Sequence, residues 1–177
     1  MIAYILRLIT DLFGSHLYVI NILAITFQVA ITFVIYKIAM LFKSKQVALV
    51  ASLLWVLSPM TTQYIFRYST YDSPLNLFWA MCIYFGAKYC IDRSVKDLYL
   101  TCMSIGQMML SKYTGVILVA ALLAFLLVNP RQREIFKTKH FYLSMLLDLI
   151  LFSPVIVWNM QHQWVSFTYQ LSTHSAS

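Results

Sequence analysis

Chemistry-bearing side chains are few in this chain, and they collect in three short stretches: Asp72 within Tyr71-Asp72-Ser73-Pro74, Lys112 within Ser111-Lys112-Tyr113-Thr114, and Trp158, Asn159, His162 and Trp164 near the end. Arg67 and Tyr68 lie just ahead of the first. A carboxylate near a guanidinium is suited to orienting a sugar hydroxyl, an amine or a metal. A single ammonium is a compact cation for a phosphate or diphosphate. Each residue also has a plain structural reading. Ser73 as N-cap with Pro74 at the first helical position explains the Asp72 stretch as a helix start. Lys112 suits a hairpin tip, with Gly115 easing the turn. Trp158 and Trp164 suit an aromatic belt at a membrane surface, and His162 a solvated loop, since no second His stands beside it. No metal-ligand spacing is present.

The elements that must position these residues are apolar. Of 177 residues, 61% are hydrophobic and only 11% charged, against about a quarter charged in a soluble domain. Mean hydropathy is +0.75, so lipid is the expected solvent for most of the chain. The net charge of +7 comes from basic residues spread over short connections without a contiguous patch, which excludes nucleic acid as a partner. Cys82, Cys90 and Cys102 fall inside apolar stretches and read as small buried hydrophobes. With about 20 apolar residues needed per crossing, the spans expected are Leu17–Leu41, Gln46–Phe66, Pro74–Ile91 and Phe141–Trp158. Leu98 to Val128 is apolar for longer than one span and is broken only around Lys112. The start, residues 1–16, is too short to cross and reads as an interfacial helix ahead of a transmembrane domain at 17–177.

Charge placement sets the topology. Lys37, Lys43 and Lys45 follow the first span; Lys88, Arg93 and Lys96 follow the third; Arg131, Arg133, Lys137 and Lys139 precede the last. Ten basic residues thus fall on one side, against Arg7, Arg67 and Lys112 on the other. With Lys96 and Arg131 on the same side, the segment between them crosses an even number of times and forms two short helices meeting near Lys112. One long helix would bury Lys112 at a cost of about 3 kcal/mol. The fold expected is an all-α integral membrane protein, a polytopic helical bundle of about six crossings or half-crossings. Its outer face gathers Arg67, Tyr68, Tyr71, Asp72, Lys112, Tyr113, Trp158, Asn159, His162 and Trp164.

Three residues inside the spans stand apart. Pro59 and Pro154 are expected to interrupt helix hydrogen bonding in the outer halves of their spans. Asp148 lies mid-span, where an ionised carboxylate is costly. It is therefore either functional or bonded to a neighbouring helix, with Gln28 and Gln107 as partners. A transporter would use such a residue together with a broken helix at Lys112, although the internal repeat usual in transporters is absent.

Several of these stretches, taken together, resemble a known family. Tyr71-Asp72-Ser73-Pro74-Leu75 with Phe78-Trp79, Leu110-Ser111-Lys112-Tyr113-Thr114, Phe152-Ser153-Pro154-Val155, Trp158-Asn159-Met160-Gln161-His162 and Trp164-Val165-Ser166-Phe167 resemble the bacterial dolichyl-phosphate-mannose protein mannosyltransferase-like family. These are integral-membrane glycosyltransferases of the GT-C fold, related to aminoarabinose transferases that modify lipid A. The resemblance implies a polyprenyl-phosphate-linked sugar as donor, transfer at the extracytoplasmic face of a bacterial inner membrane, and inversion with a carboxylate activating the acceptor. No cofactor is implied. It also implies that the principal catalytic aspartate lies ahead of the segment starting at Met1, and that relatives continue beyond Ser177. The chain is accordingly expected to be a fragment whose missing spans a companion chain would supply, or an inactive or non-enzymatic membrane remnant. Asp148 stands where relatives carry an apolar residue. Carried over by position, Asp72 serves the acceptor or sugar and Lys112 the donor phosphate, with Arg67, Tyr113, Trp158, Asn159 and His162 as further binding residues.

Overall fold

The structure is a computed structural model and describes residues 2–59, 61, 72–166 and 168. Seven α-helices lie within them: α1 (Ile2–Phe13), α2 (Leu17–Phe42), α3 (Lys45–Leu57), α4 (Asp72–Asp92), α5 (Val95–Ser111), α6 (Val116–Val128) and α7 (Lys139–Gln161). Short 3₁₀ turns join α5 to α6 at Tyr113–Gly115 and α6 to α7 at Arg133–Lys137. No strand occurs among the described residues.

Sequence chemistry accounts for most of these boundaries. α1 ends where Gly14 takes φ +84° and donates its N–H to Thr10 O at 2.9 Å, a left-handed cap that a side chain would strain. α3 stops earlier than its apolar run suggests. Ser58, ahead of Pro59, is held extended at φ −65°, ψ 140°, as the residue before a proline is. The Ser58 hydroxyl accepts Thr61 N–H at 3.2 Å, so helical hydrogen bonding is interrupted at Ser58-Pro59, as expected, and Ser58 caps the helical residues Pro59 and Thr61 that follow. The rest of the expected second span lies outside the described residues.

The cap predicted at Ser73 is not formed. Asp72 already stands in the first turn of α4, and Ser73 and Pro74 are buried just behind it. Pro154, by contrast, lies inside α7 as expected. The carbonyl of Ile150, which a proline four residues on cannot serve, accepts the Ser153 hydroxyl at 2.8 Å.

The helices form a chain of neighbours: α3 packs on α2, α2 on α4, α4 on α5, and α5 on α7. α5 and α6 are the antiparallel pair that charge placement predicts. Their far ends are tied where Arg93 Nη2 donates to Arg131 O at 2.8 Å. Their near ends meet at Lys112, where Gly115 seats against Met108 so closely that a Cβ would come within 2.9 Å of Met108 Cγ. One core cluster, Leu75, Cys82, Met108 and Leu118, lies towards that turn; the other, Tyr89, Leu98, Cys102, Ile135 and Phe141, lies towards the Arg93 end.

Between them α7 approaches α5 at Gly106, whose N–H donates to Asp148 Oδ1 at 3.2 Å. Asp148 thus bonds to a neighbouring helix, but through a backbone amide and not through Gln28 or Gln107. Gln28 is buried, with both side-chain polar atoms unpartnered among the described residues.

The outward faces remain apolar. On α6, Ile117 and Val128 are 63% and 77% exposed, and on α7 Leu146, Leu149 and Ile150 are exposed as well. Water does not tolerate such a surface, and a helix apolar all round that is not enclosed by protein belongs in lipid. The molecule is an all-α membrane bundle.

Candidate functional site

Two helix termini meet at the Lys112 end of the bundle. Asp72 occupies the first turn of α4, and Lys112 is the residue that ends α5, with its N–H bonded to Met108 O at 3.1 Å. A carboxylate at a helix N-terminus and an ammonium at a C-terminus each oppose the partial charge of their own helix. Here they also pair with one another: Lys112 Nζ donates to Asp72 Oδ1 at 2.9 Å, with side chains 31% and 23% exposed. The pair is half-sheltered, reachable from outside yet shielded more than a surface ion pair.

Beside it, Ser73 is buried and its Oγ has no hydrogen-bond partner among the described residues. Nothing in the residue pattern distinguished this hydroxyl from a cap.

Tyr113 opens the 3₁₀ turn after Lys112 and sets its ring edge-on to Phe152 of α7, centroids 6.4 Å apart. This contact levels α7 against the turn. α7 runs alongside α5 in the same direction, through Gly106–Asp148 and then Tyr113–Phe152, so its last residues continue past the turn. Asn159 stands seven residues beyond Phe152, about 10 Å further along the axis at 1.5 Å per residue.

Trp158 stacks on His162 with centroids 4.2 Å apart and planes 11° from parallel, and His162 Nδ1 pairs with Trp158 O at 2.8 Å. Asn159 is fully buried. Its side-chain Nδ2 donates to Val155 O at 2.9 Å, and its backbone carbonyl accepts Trp164 N–H, also at 2.9 Å. The chain turns sharply there, with Gln163 and Trp164 in the left-handed region at φ 54° and 59°.

The expected residues therefore form two groups at one end of the bundle. Asp72 and Lys112 are in direct contact, with Tyr113 adjoining. The described contacts of Trp158, Asn159 and His162 run within the segment from Val155 to Trp164. Arg67, Tyr68 and Tyr71 lie outside the described residues. No group of three or more metal-type ligands converges among the described residues.

An apolar groove of about 750 Å³ runs along α5 between α4, α6 and α7. It is bounded towards the turn by Met109, Val116 and Phe152 and at the other end by Tyr89, Leu98 and Ile135. A charged pair at one end of a lipid-facing bundle, with an apolar groove that reaches Met109, Val116 and Phe152 near the same turn, suits an amphiphile with an anionic head.

The family model described as dolichyl-phosphate-mannose-protein mannosyltransferase matches residues 1–158, a stretch that contains Asp72, Lys112 and Tyr113 and ends at Trp158. No curated protein and no solved structure matches the chain. With the match covering most of an all-helical membrane bundle, the chain belongs to the dolichyl-phosphate-mannose-protein mannosyltransferase family, a family of membrane glycosyltransferases.

Proposed function

We propose that this chain takes part in transferring a sugar from a polyprenyl-phosphate donor to an acceptor at the extracytoplasmic face of a bacterial inner membrane, Lys112 holding the donor phosphate and Asp72 acting on the acceptor hydroxyl. The observation that carries this reading is the 2.9 Å Lys112–Asp72 pair where two helix termini meet. At rest the ammonium occupies the carboxylate. An arriving phosphate competes for Lys112 and leaves the carboxylate oxygen open to the acceptor hydroxyl. The acceptor oxygen then attacks the anomeric carbon, and the bond from that carbon to the phosphate oxygen breaks. The acceptor proton passes to Asp72, while Lys112 offsets the charge left on the departing polyprenyl phosphate. A single displacement of this kind inverts the anomeric centre. Tyr113 supplies an aromatic wall beside the sugar, and Trp158, Asn159 and His162 contribute to the acceptor side. Arg67 is assigned to the same face from its position in the chain. The polyprenyl tail lies along the part of the groove near Met109, Val116 and Phe152.

Purified protein in detergent, given a polyprenyl-phosphate-linked mannose, tests both roles. Lys112→Ala is expected to weaken donor binding by at least about tenfold, equivalent to about 1.4 kcal/mol. Asp72→Asn should bind donor within a few-fold of the parent yet lose on the order of a hundredfold or more in transfer. Unchanged donor binding in a folded Lys112→Ala protein would remove the phosphate assignment, and undiminished transfer in Asp72→Asn would remove the base.

A further inference from the structure

The end of the bundle away from Lys112 carries a second polar opening. A cleft of about 690 Å³ lies between the α4–α5 connection and the segment that joins α6 to α7, and Arg93, Arg131, Lys137 and His140 line it with Glu134 as its one carboxylate. Its volume falls within the ~300–1,000 Å³ of small-molecule sites. Tyr89, Leu98 and Ile135 line both this cleft and the apolar groove. A cationic cleft therefore adjoins the apolar groove, with Tyr89, Leu98 and Ile135 forming the boundary they share.

The cations are arranged at some conformational expense. Arg93 follows α4 in the left-handed region at φ 56°, a conformation that strains a side-chain-bearing residue and is usually given to glycine. That backbone turns its guanidinium over the Tyr89 ring, 5.7 Å from the centroid, and onto Arg131 O at 2.8 Å. Only one of its five N–H donors is needed for that bond. Lys137 meets Glu134 at 3.4 Å with both side chains mostly exposed, and a pair so exposed adds little to stability. A phosphate can displace it cheaply.

We infer that this cleft and the adjoining end of the groove form a binding site for an anionic phospholipid, its phosphate at Arg93, Arg131 and Lys137 and one acyl chain against Tyr89, Leu98, Ile135 and Phe141. Basic pockets between membrane helices on the side that gathers Lys and Arg hold such headgroups. Charge complementarity selects an anionic lipid over a zwitterionic one, and the apolar continuation selects a lipid over a free phosphate. The site is separate from the Lys112–Asp72 pair, at the opposite end of α5.

Native mass spectrometry of the full chain in neutral detergent, with dioleoyl phosphatidylglycerol, dioleoyl phosphatidylcholine and glycerol phosphate as probes, distinguishes the alternatives. Phosphatidylglycerol is expected to bind at least about fivefold better than phosphatidylcholine, and glycerol phosphate should not compete with it at equal concentration. Arg131→Ala with Lys137→Ala should abolish the preference, while Lys43→Ala with Lys45→Ala, which removes the same charge at the α2–α3 connection, should retain it. If the first double variant loses helicity, Lys137→Gln alone, at an exposed position, should still reduce the preference by about half. Equal binding of the two lipids, or a preference that survives both Arg131/Lys137 substitutions and Lys137→Gln, would overturn the site. Competition by glycerol phosphate as strong as that by the lipid would make it a free-anion site and overturn the lipid.

Discussion

Beside the ion pair at the start of α4, a serine hydroxyl is buried with nothing described to bond to. Leaving a buried polar group unpaired costs about 1–3 kcal/mol, so Ser73→Ala is expected to raise stability by about 1 kcal/mol in thermal unfolding in detergent. If Ser73 serves an incoming ligand, the same variant will be more stable and yet poorer in transfer. A drop in stability would mean that the hydroxyl is bonded after all. At this scale residue identity was legible and partnership was not. Asp72 and Lys112 could both be picked out as rare charges in an apolar chain, but nothing in their forty-residue separation states that they touch. The Ser-Pro pattern suggests a cap at Ser73-Pro74 and occurs as one at Ser58-Pro59, because a capping motif fixes what a helix start can look like but not which of the chain's three Ser-Pro dipeptides is used. Of the two readings open for Asp148, a functional role or a bond to a neighbouring helix, the structure shows the bond, to Gly106 and not to Gln28 or Gln107. Its partner is a backbone N–H, which every residue but proline carries and which leaves no mark on the sequence.

Between elements, one close approach is where α7 meets α5 at Gly106. A Cβ on Gly106 would lie 2.9 Å from Asp148 Oδ1 and 3.1 Å from Leu151 Cδ1. Gly106→Ala gains about 1 kcal/mol of helix propensity but overpacks the contact at about 1–3 kcal/mol and pushes Asp148 off its amide. The net expected is a loss of about 1 kcal/mol, measured by unfolding in detergent. In an Asp148→Ala background the substitution should become neutral or stabilising. A wild-type-like Gly106→Ala would mean that the two helices lie further apart. Helix existence and extent were largely legible: the ends of the first, third and last spans fall within three residues of the helices found, since in lipid an apolar run of sufficient length has little choice but to be helical. α3 ends earlier than hydropathy implied, because hydropathy does not sense the backbone restriction that Pro59 places on Ser58. The division of Leu98–Val128 into two helices came from counting charges and not from any helix-breaking residue.

The whole molecule has two chemically unlike ends, one with the Lys112–Asp72 pair and one with most of the lysines and arginines, and the all-helical membrane character that separates them was evident from composition alone. In a background with Cys82, Cys90 and Cys102 replaced by serine, Tyr113→Cys is expected to react with a membrane-impermeant maleimide from one side of the membrane, and Lys96→Cys and Arg131→Cys from the other. Labelling of residues 113 and 131 from the same side would dismantle the hairpin. The hairpin's own dimensions carry a further consequence. At 1.5 Å per residue, α5 with 17 residues and α6 with 13 reach about 26 Å and 20 Å, short of the ~30 Å hydrocarbon layer, whereas α2 with 26 residues reaches about 39 Å. With the basic ends anchored at one interface, the turn at Lys112 sits several ångströms below the opposite headgroup plane. Around this hairpin the bilayer is expected to thin, bringing headgroups and water down to the charged pair, while α2 and α7, long enough for a full crossing, tilt or extend beyond it.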